Sequence, residues 1–159
     1  MPTKLYAGLT YDQVVQKYLD SVYSVCVMHL QNYADAEDCS QNVFVNLFNR
    51  SPDFLDENHL KAWLIRVAIN ECKMHINKYR RLVSLDSVKA EKIDFPAEKY
   101  DISWALMKTP KKYRDVLYLH YCEKYKIKEI ALILNIKENS VKTLLKKGRE
   151  ILRTIYGGD

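Results

Sequence analysis

Arg66, Asn70, Lys73, Asn77 and Arg80 recur at intervals of four, three, four and three. On an α-helix that spacing sets them along one continuous stripe, and Arg81 extends it. Guanidinium and ammonium groups only donate hydrogen bonds and suit phosphates, whereas an amide both donates and accepts and can address a base edge. The chemistry on offer is recognition of a polyanion. A solvated basic face is the plainer reading of the same residues.

A second set lies in "KIKEIALILNIKENSVKTLLKKGRE", Lys126 to Glu150. Its first amphipathic segment would bury Ile127, Ile130, Ala131 and Leu134. Asn135 follows, a residue that tolerates the left-handed conformation of a helix stop, and Ile136 would plug the space between helices. The second segment starts near Glu138–Asn139 and would bury Val141, Leu144 or Leu145, Gly148, Ile151 and Leu152. Lys142, Thr143, Lys146, Lys147 and Arg149 are then left outward. Two helices about a tight break match a helix-turn-helix, whose second helix enters the major groove. A structural hairpin with ordinary surface lysines is the alternative, and the basic bias favours DNA.

Two further spacings invite other chemistry. "CVMH" at Cys26–His29 and "CKMH" at Cys72–His75 share C-x-x-H, and packed together they would offer four zinc ligands. Both cysteines sit in apolar stripes, and the doubled pairing is no familiar zinc-finger spacing, so no metal or other cofactor is expected. The chain holds no glycine-rich phosphate loop, HExxH or nucleophile motif, and Glu37 and Asp38 are merely adjacent. An enzyme is not expected.

These residues need elements to carry them. In 159 residues, 48% are hydrophobic and 28% charged, with only four glycines and four prolines; few turns and long periodic segments predict an all-α protein. Residues 1–60 hold three basic and eight acidic side chains, 61–110 ten and six, and 111–159 twelve and six. An acidic front followed by two basic stretches implies different surfaces for different partners. The cysteines stand apart in apolar contexts, no secretory signal opens the chain and no apolar run could cross a bilayer, so a cytoplasmic setting is expected.

The first helix should run from about Tyr11 to Gln31, with Thr10 and Gln13 as a capping box and Val15, Leu19, Val22, Cys26 and Leu30 inward. The second follows "NYADAED", with Asp35 as N-cap, Glu37 and Asp38 in its first turn, and Cys39, Val43, Phe44 and Leu47 buried. After the loop "NRSPDFLDEN" a third helix runs from beyond Asn58 to Arg81, burying Leu60, Leu64, Val67, Ala68, Cys72, Ile76 and Tyr79. Periodicity lapses at 82–97. "AEKYDISWALMKT" is then one helix, and Thr109 caps another with Pro110 at its first position, ending near Glu123. The expected architecture is two small helical domains, 1–81 and 98–159, joined by a linker at 82–97, the second domain a helix-turn-helix.

At this point a resemblance becomes specific. "EIALILNIKENSVKTLLKKGREIL" and "PKKYRDVLYLHY" resemble the C-terminal domain of bacterial extracytoplasmic-function sigma factors, of the sigma-70 family. "DAEDCSQNVFVNLF" resembles that family's polymerase-binding helix, and "AWLIRVAIN" with "KYRR" its promoter-melting helix. The matches fall in the family's order across both halves. Departures are Asn42 for the usual Glu, Thr109 for the Leu before proline, Met74 and His75 where an acid is frequent, Leu144 for a commonly basic residue, and Lys137 for a small N-cap.

The resemblance implies a dissociable specificity subunit that docks on core RNA polymerase through Asp38, Gln41 and Asn42. It implies that Arg66, Lys73, Arg80 and Arg81 follow the phosphates of a melted minus-ten element. Asn70 and the loop at Phe54–Asn58 would hold a flipped base. Lys142 and Thr143 would lie near minus-thirty-five base edges, with Lys146, Lys147 and Arg149 electrostatic. Promoter DNA and core polymerase are the implied partners, and an anti-sigma factor is common in the family. A stand-alone helix-turn-helix regulator is the competing reading; it leaves the stripe on the third helix and the acidic second helix unexplained.

Overall fold

The computed structural model describes residues 3–83 and 102–157. The chain divides into two units, Met1–Ile93 and Asp94–Asp159. The expected linker at 82–97 lies outside the described residues except for Leu82 and Val83, which continue the third helix.

In the first unit α1 (Tyr11–Leu30), α2 (Tyr33–Arg50) and α3 (Glu57–Val83) all pack on one another. Thr10 Oγ1 accepts from the Gln13 N–H at 3.2 Å and Gln13 Oε1 accepts from the Thr10 N–H at 2.9 Å, so the capping box forms as expected. α1 stops at Gln31, whose φ of 51° is left-handed, and Asn32 at once caps α2 by accepting the Asp35 N–H at 3.0 Å. A two-residue corner thus reverses the chain. The cap is Asn32 and not Asp35, because the left-handed stop at Gln31 delivers the Asn32 side chain to the first free N–H groups. Glu37 and Asp38 consequently lie beyond the first turn, and Asp38 has no capping to do.

Val14, Val22, Cys26, Val43, Leu47, Leu60, Leu64, Ile65, Ala68 and Cys72 are at most 1% exposed and form the core. Each large apolar chain here contributes about 1.5–3 kcal/mol by burial. The α1 stripe departs from expectation. Tyr18 and Val25 are buried where Leu19 is 41% exposed and Val15 and Leu30 are only half-buried. The helix is covered from two sides, by α2 and α3, which widens and rotates its buried arc. At the far end of α3, Ile76 is half-buried and Tyr79 exposed, since that end runs past its neighbours' core.

In the second unit α4 (Ile102–Met107), α5 (Lys111–Leu117), α6 (Ile127–Leu134) and α7 (Glu138–Tyr156) surround Leu106, Val116, Leu117, Ile130, Val141 and Leu145. A π-helical turn, Tyr118–Cys122, continues α5. Thr109 does not cap α5: its hydroxyl donates back to the Ala105 carbonyl at 2.8 Å, and Pro110 takes the cap position with no side-chain bond. Asn135 stops α6 in the left-handed conformation expected, at φ 56°. Ile136, expected between the helices, is 37% exposed, and Ile133 is buried. Gly148 matters for packing, since a Cβ there would stand 3.0 Å from the Leu117 side chain.

Candidate nucleic-acid and protein interfaces

Three exposed faces carry the residues singled out from the sequence. On α2, Asp38, Gln41 and Asn42 are all exposed, and their spacing sets them on one side. The same side continues through Val45 and Phe48, which are 52% and 64% exposed. These two side chains place apolar surface beside the acid and amide groups of the same helix face. Phe48 is held edge-on to Tyr11, ring centroids 5.6 Å apart, and the Tyr11 hydroxyl donates to the Phe44 carbonyl at 2.9 Å. Partial burial and the Tyr6 and Asp12 side chains raise the Tyr11 pKa, so the hydroxyl stays a donor. Sequence reasoning missed Val45 and Phe48, although both fall at helical spacing from Asp38.

On α3, Arg66, Asn70, Lys73, Asn77, Arg80 and Arg81 are exposed. Asn70, Lys73 and Asn77 also line a groove between α2 and α3, together with Val67, Glu71 and Met74 of α3 and Asn46 and Arg50 of α2. Asn46 and Arg50 were not foreseen; they stand one helical turn apart on α2. The Asn46 Nδ2 donates to Glu71 Oε1 at 3.0 Å. The groove therefore combines two cations, one carboxylate, three amides and the apolar surface of Val67 and Met74.

The loop before α3 is built around Phe54, whose ring lies edge-on to His59 at 5.3 Å and to Trp63 at 5.7 Å. Asp56 Oδ1 accepts the His59 N–H at 2.8 Å, and His59 Nδ1 accepts the Leu55 N–H at 3.1 Å. His59 thus ties the end of the loop to the first turns of α3, on which Phe54 packs, and Leu55, at 93% exposure, is the apolar group presented outward. The start of α3 is tied to α1 as well: the Tyr18 hydroxyl donates to Glu57 Oε1 at 2.7 Å, and Lys17 pairs with the same carboxylate. These donors hold the Glu57 carboxyl below its ordinary pKa, Lys17 most strongly.

On α7, Lys142, Thr143, Lys146, Lys147 and Arg149 are all exposed. The Lys137 side chain makes no cap bond, and the acid in the first turn of α7 is Glu138. The Thr143 hydroxyl donates back to the Asn139 carbonyl at 2.9 Å, which turns its oxygen toward the helix backbone. Arg149 is steered by the π-helical turn, donating from Nη1 to the Tyr121 hydroxyl at 3.3 Å.

Buried Arg114, from the "PKKYRDVLYLHY" segment, serves the fold. Its Nε donates to the Leu106 carbonyl and its Nη2 to the Thr109 carbonyl, both at 2.9 Å. Burial lowers its pKa, opposed by Asp115.

The C-x-x-H pairs do not assemble as four ligands. Cys26 and Cys72 meet, but the third group in contact with Cys72 is the Cys39 thiol, all three being buried. His75 pairs instead with Asp35 at 3.3 Å. Among the described residues no group of three or more His, Cys, Asp or Glu is arranged to hold a metal ion. Nor is any helix among them long and apolar enough to cross a membrane.

Residues 14–82 match the family described as Sigma-70 region 2, and residues 105–152 the one described as Sigma-70, region 4. The chain is 31% identical over 160 residues to the ECF RNA polymerase sigma factor SigW of Bacillus subtilis, covering 88% of this chain and 85% of that one. It is 27% identical over 157 residues to SigM of the same organism, covering 93% and 96%. Among solved structures it resembles the sigma factor RpoE from Bartonella quintana, crystallised with the anti-sigma factor NepR, with a TM-score of 0.81 and 20% identity over 94% of this chain and 98% of that one. CnrH, solved in complex with the cytosolic domain of CnrY, gives a TM-score of 0.68 at 20% identity over 94% and 88%.

Proposed function

Because the chain belongs to the extracytoplasmic-function group of the sigma-70 family and is an RNA polymerase sigma factor, we propose a division of labour among its three exposed faces. The α2 face of Asp38, Gln41, Asn42, Val45 and Phe48 docks on core polymerase. The α3 face, with Arg66, Asn70, Lys73, Asn77, Arg80 and Arg81, takes the unpaired strand of the minus-ten element. The α7 face, with Lys142, Thr143, Lys146, Lys147 and Arg149, binds the minus-thirty-five duplex.

The observation that carries this reading is the pairing of unlike surfaces within one three-helix unit. α2 exposes acid, amide and apolar groups, as a protein contact requires. α3 exposes cations and amides beside a groove, as an unpaired nucleic-acid strand requires. Strand opening is stabilised when extruded bases find pockets and their phosphates find cations. The chain supplies binding energy and no catalytic group; bond formation belongs to the polymerase. It acts in the cytoplasm, where polymerase and promoter are, and an anti-sigma factor covering the α2 face would silence it. A stand-alone regulator would need only α6 and α7.

Duplex promoter binding with and without core polymerase tests the reading. Weak binding by the protein alone, rising at least about a hundredfold in affinity with polymerase, is expected. Tight, sequence-specific binding by the isolated protein, unchanged by polymerase, would contradict it.

A further inference from the structure

Glu71 is out of place. It lines the groove that Asn70, Lys73 and Asn77 share with Arg50, and a carboxylate there repels phosphates. Its bond to Asn46 supplies a reason. A carboxylate only accepts hydrogen bonds, so the Asn46 amide must turn its NH2 toward Glu71 Oε1, 3.0 Å away. The Asn46 Oδ1 is thereby turned the other way and fixed as an acceptor. Both side chains are half-buried, and Asn46 belongs to α2 while Glu71 belongs to α3, so the amide's orientation is held between two packed helices.

We propose that Asn46 is a specificity-determining residue of the strand-binding groove, reading the exocyclic amino group of an extruded adenine or cytosine through Oδ1, and that Glu71 is its positioning residue. The inference rests on the assignment of the α3 face to the unpaired strand. Val67 and Met74 supply apolar walls for a base, Asn70 offers a second hydrogen-bonding group, and Lys73 and Arg50 are the cations for the flanking phosphates. Thymine, with a carbonyl in place of the amino group, would set oxygen against oxygen. Losing a fixed acceptor removes discrimination more than affinity, because a base lacking its partner is the one a preoriented amide rejects.

The test uses polymerase holoenzyme and forked promoter DNA in which each unpaired minus-ten position carries adenine, cytosine or thymine in turn. At one position the unaltered protein prefers an amino-bearing base over thymine by about tenfold or more. Asn46→Ala brings that ratio close to one. Glu71→Gln does so as well, since a glutamine can accept or donate and lets the Asn46 amide turn over. The ratio is insensitive to a general loss of folding or docking, which would lower all three bases equally. An equal loss for all bases, or an unchanged ratio in either variant, overturns the proposal. Lys73→Ala and Asn70→Ala are measured alongside: if they weaken fork binding while the Asn46 variant keeps its ratio, only this inference fails; if they too are silent, the assignment of the α3 face fails with it.

Discussion

Arg114 reaches across a turn to Leu106, its Nε donating to the Leu106 carbonyl at 2.9 Å while its Nη2 donates to the Thr109 carbonyl at the same distance. Arg114 is 6% exposed, and these bonds help make the burial of its guanidinium tolerable. A cation at the end of α4 also opposes the partial negative charge of that helix's last carbonyls.

Arg114→Ala leaves two carbonyls without these donors and opens a cavity. Thermal or denaturant unfolding should show a loss of about 2–4 kcal/mol confined to the C-terminal unit. Arg114→Lys keeps the charge without the fork that reaches both acceptors, and should recover only part of the loss. An unchanged midpoint for Arg114→Ala would contradict the assignment.

Phe48 presents the opposite case. It is 64% exposed, so Phe48→Ala should change stability by less than about 1 kcal/mol. As an aromatic anchor on the α2 face it should nonetheless lower affinity for core polymerase by about tenfold or more. Fluorescence titration of labelled protein with core polymerase reads the affinity, and circular dichroism the stability. Loss of both in proportion would make Phe48 a packing residue only.

The Glu57 carboxylate binds Tyr18 and Lys17 at the start of α3, and its pKa is depressed in the fold. A depressed acid stabilises above its unfolded pKa and loses that contribution as pH falls through the folded value. Between about pH 5 and pH 3 the first unit should therefore weaken, and Glu57→Gln should flatten that part of the profile. Denaturant midpoints at stepped pH make the comparison; parallel profiles would place the acid sensitivity elsewhere.

Lys147 on α7 is exposed and should act through phosphates. With holoenzyme, Lys147→Ala is expected to weaken all minus-thirty-five sequences alike and to reduce the salt slope by about one. Selective loss on one sequence would make Lys147 a base reader instead.

The stripes on α3 and α7 were legible in the sequence because helical spacing alone decides which side chains share a face. So was the stop at Asn135, where the residue type matches the backbone needed. The α2 cap was not. Asn32, Asp35 and Asp38 are all capable caps spaced three apart, and the left-handed turn at Gln31 that selects Asn32 has no local signature. Leu19 and Val15 read as core, yet they join Tyr11, Tyr23 and Phe44 along a surface groove, because α3 claims the other side of α1. Val45 and Phe48 carry no signal of exposure in the sequence; only packing leaves them 52% and 64% exposed. Asn46 was invisible for a related reason, since its significance lies in a partner 25 residues away.

A sigma factor directs polymerase to promoters. Run-off transcription with purified core polymerase over a promoter library, with and without the protein, tests it most directly. Initiation should depend on the protein, arise from templates sharing minus-thirty-five and minus-ten elements, and be abolished by joint loss of Arg66 and Lys73. Protein-independent initiation only, from a polymerase that demonstrably binds this chain, would contradict it.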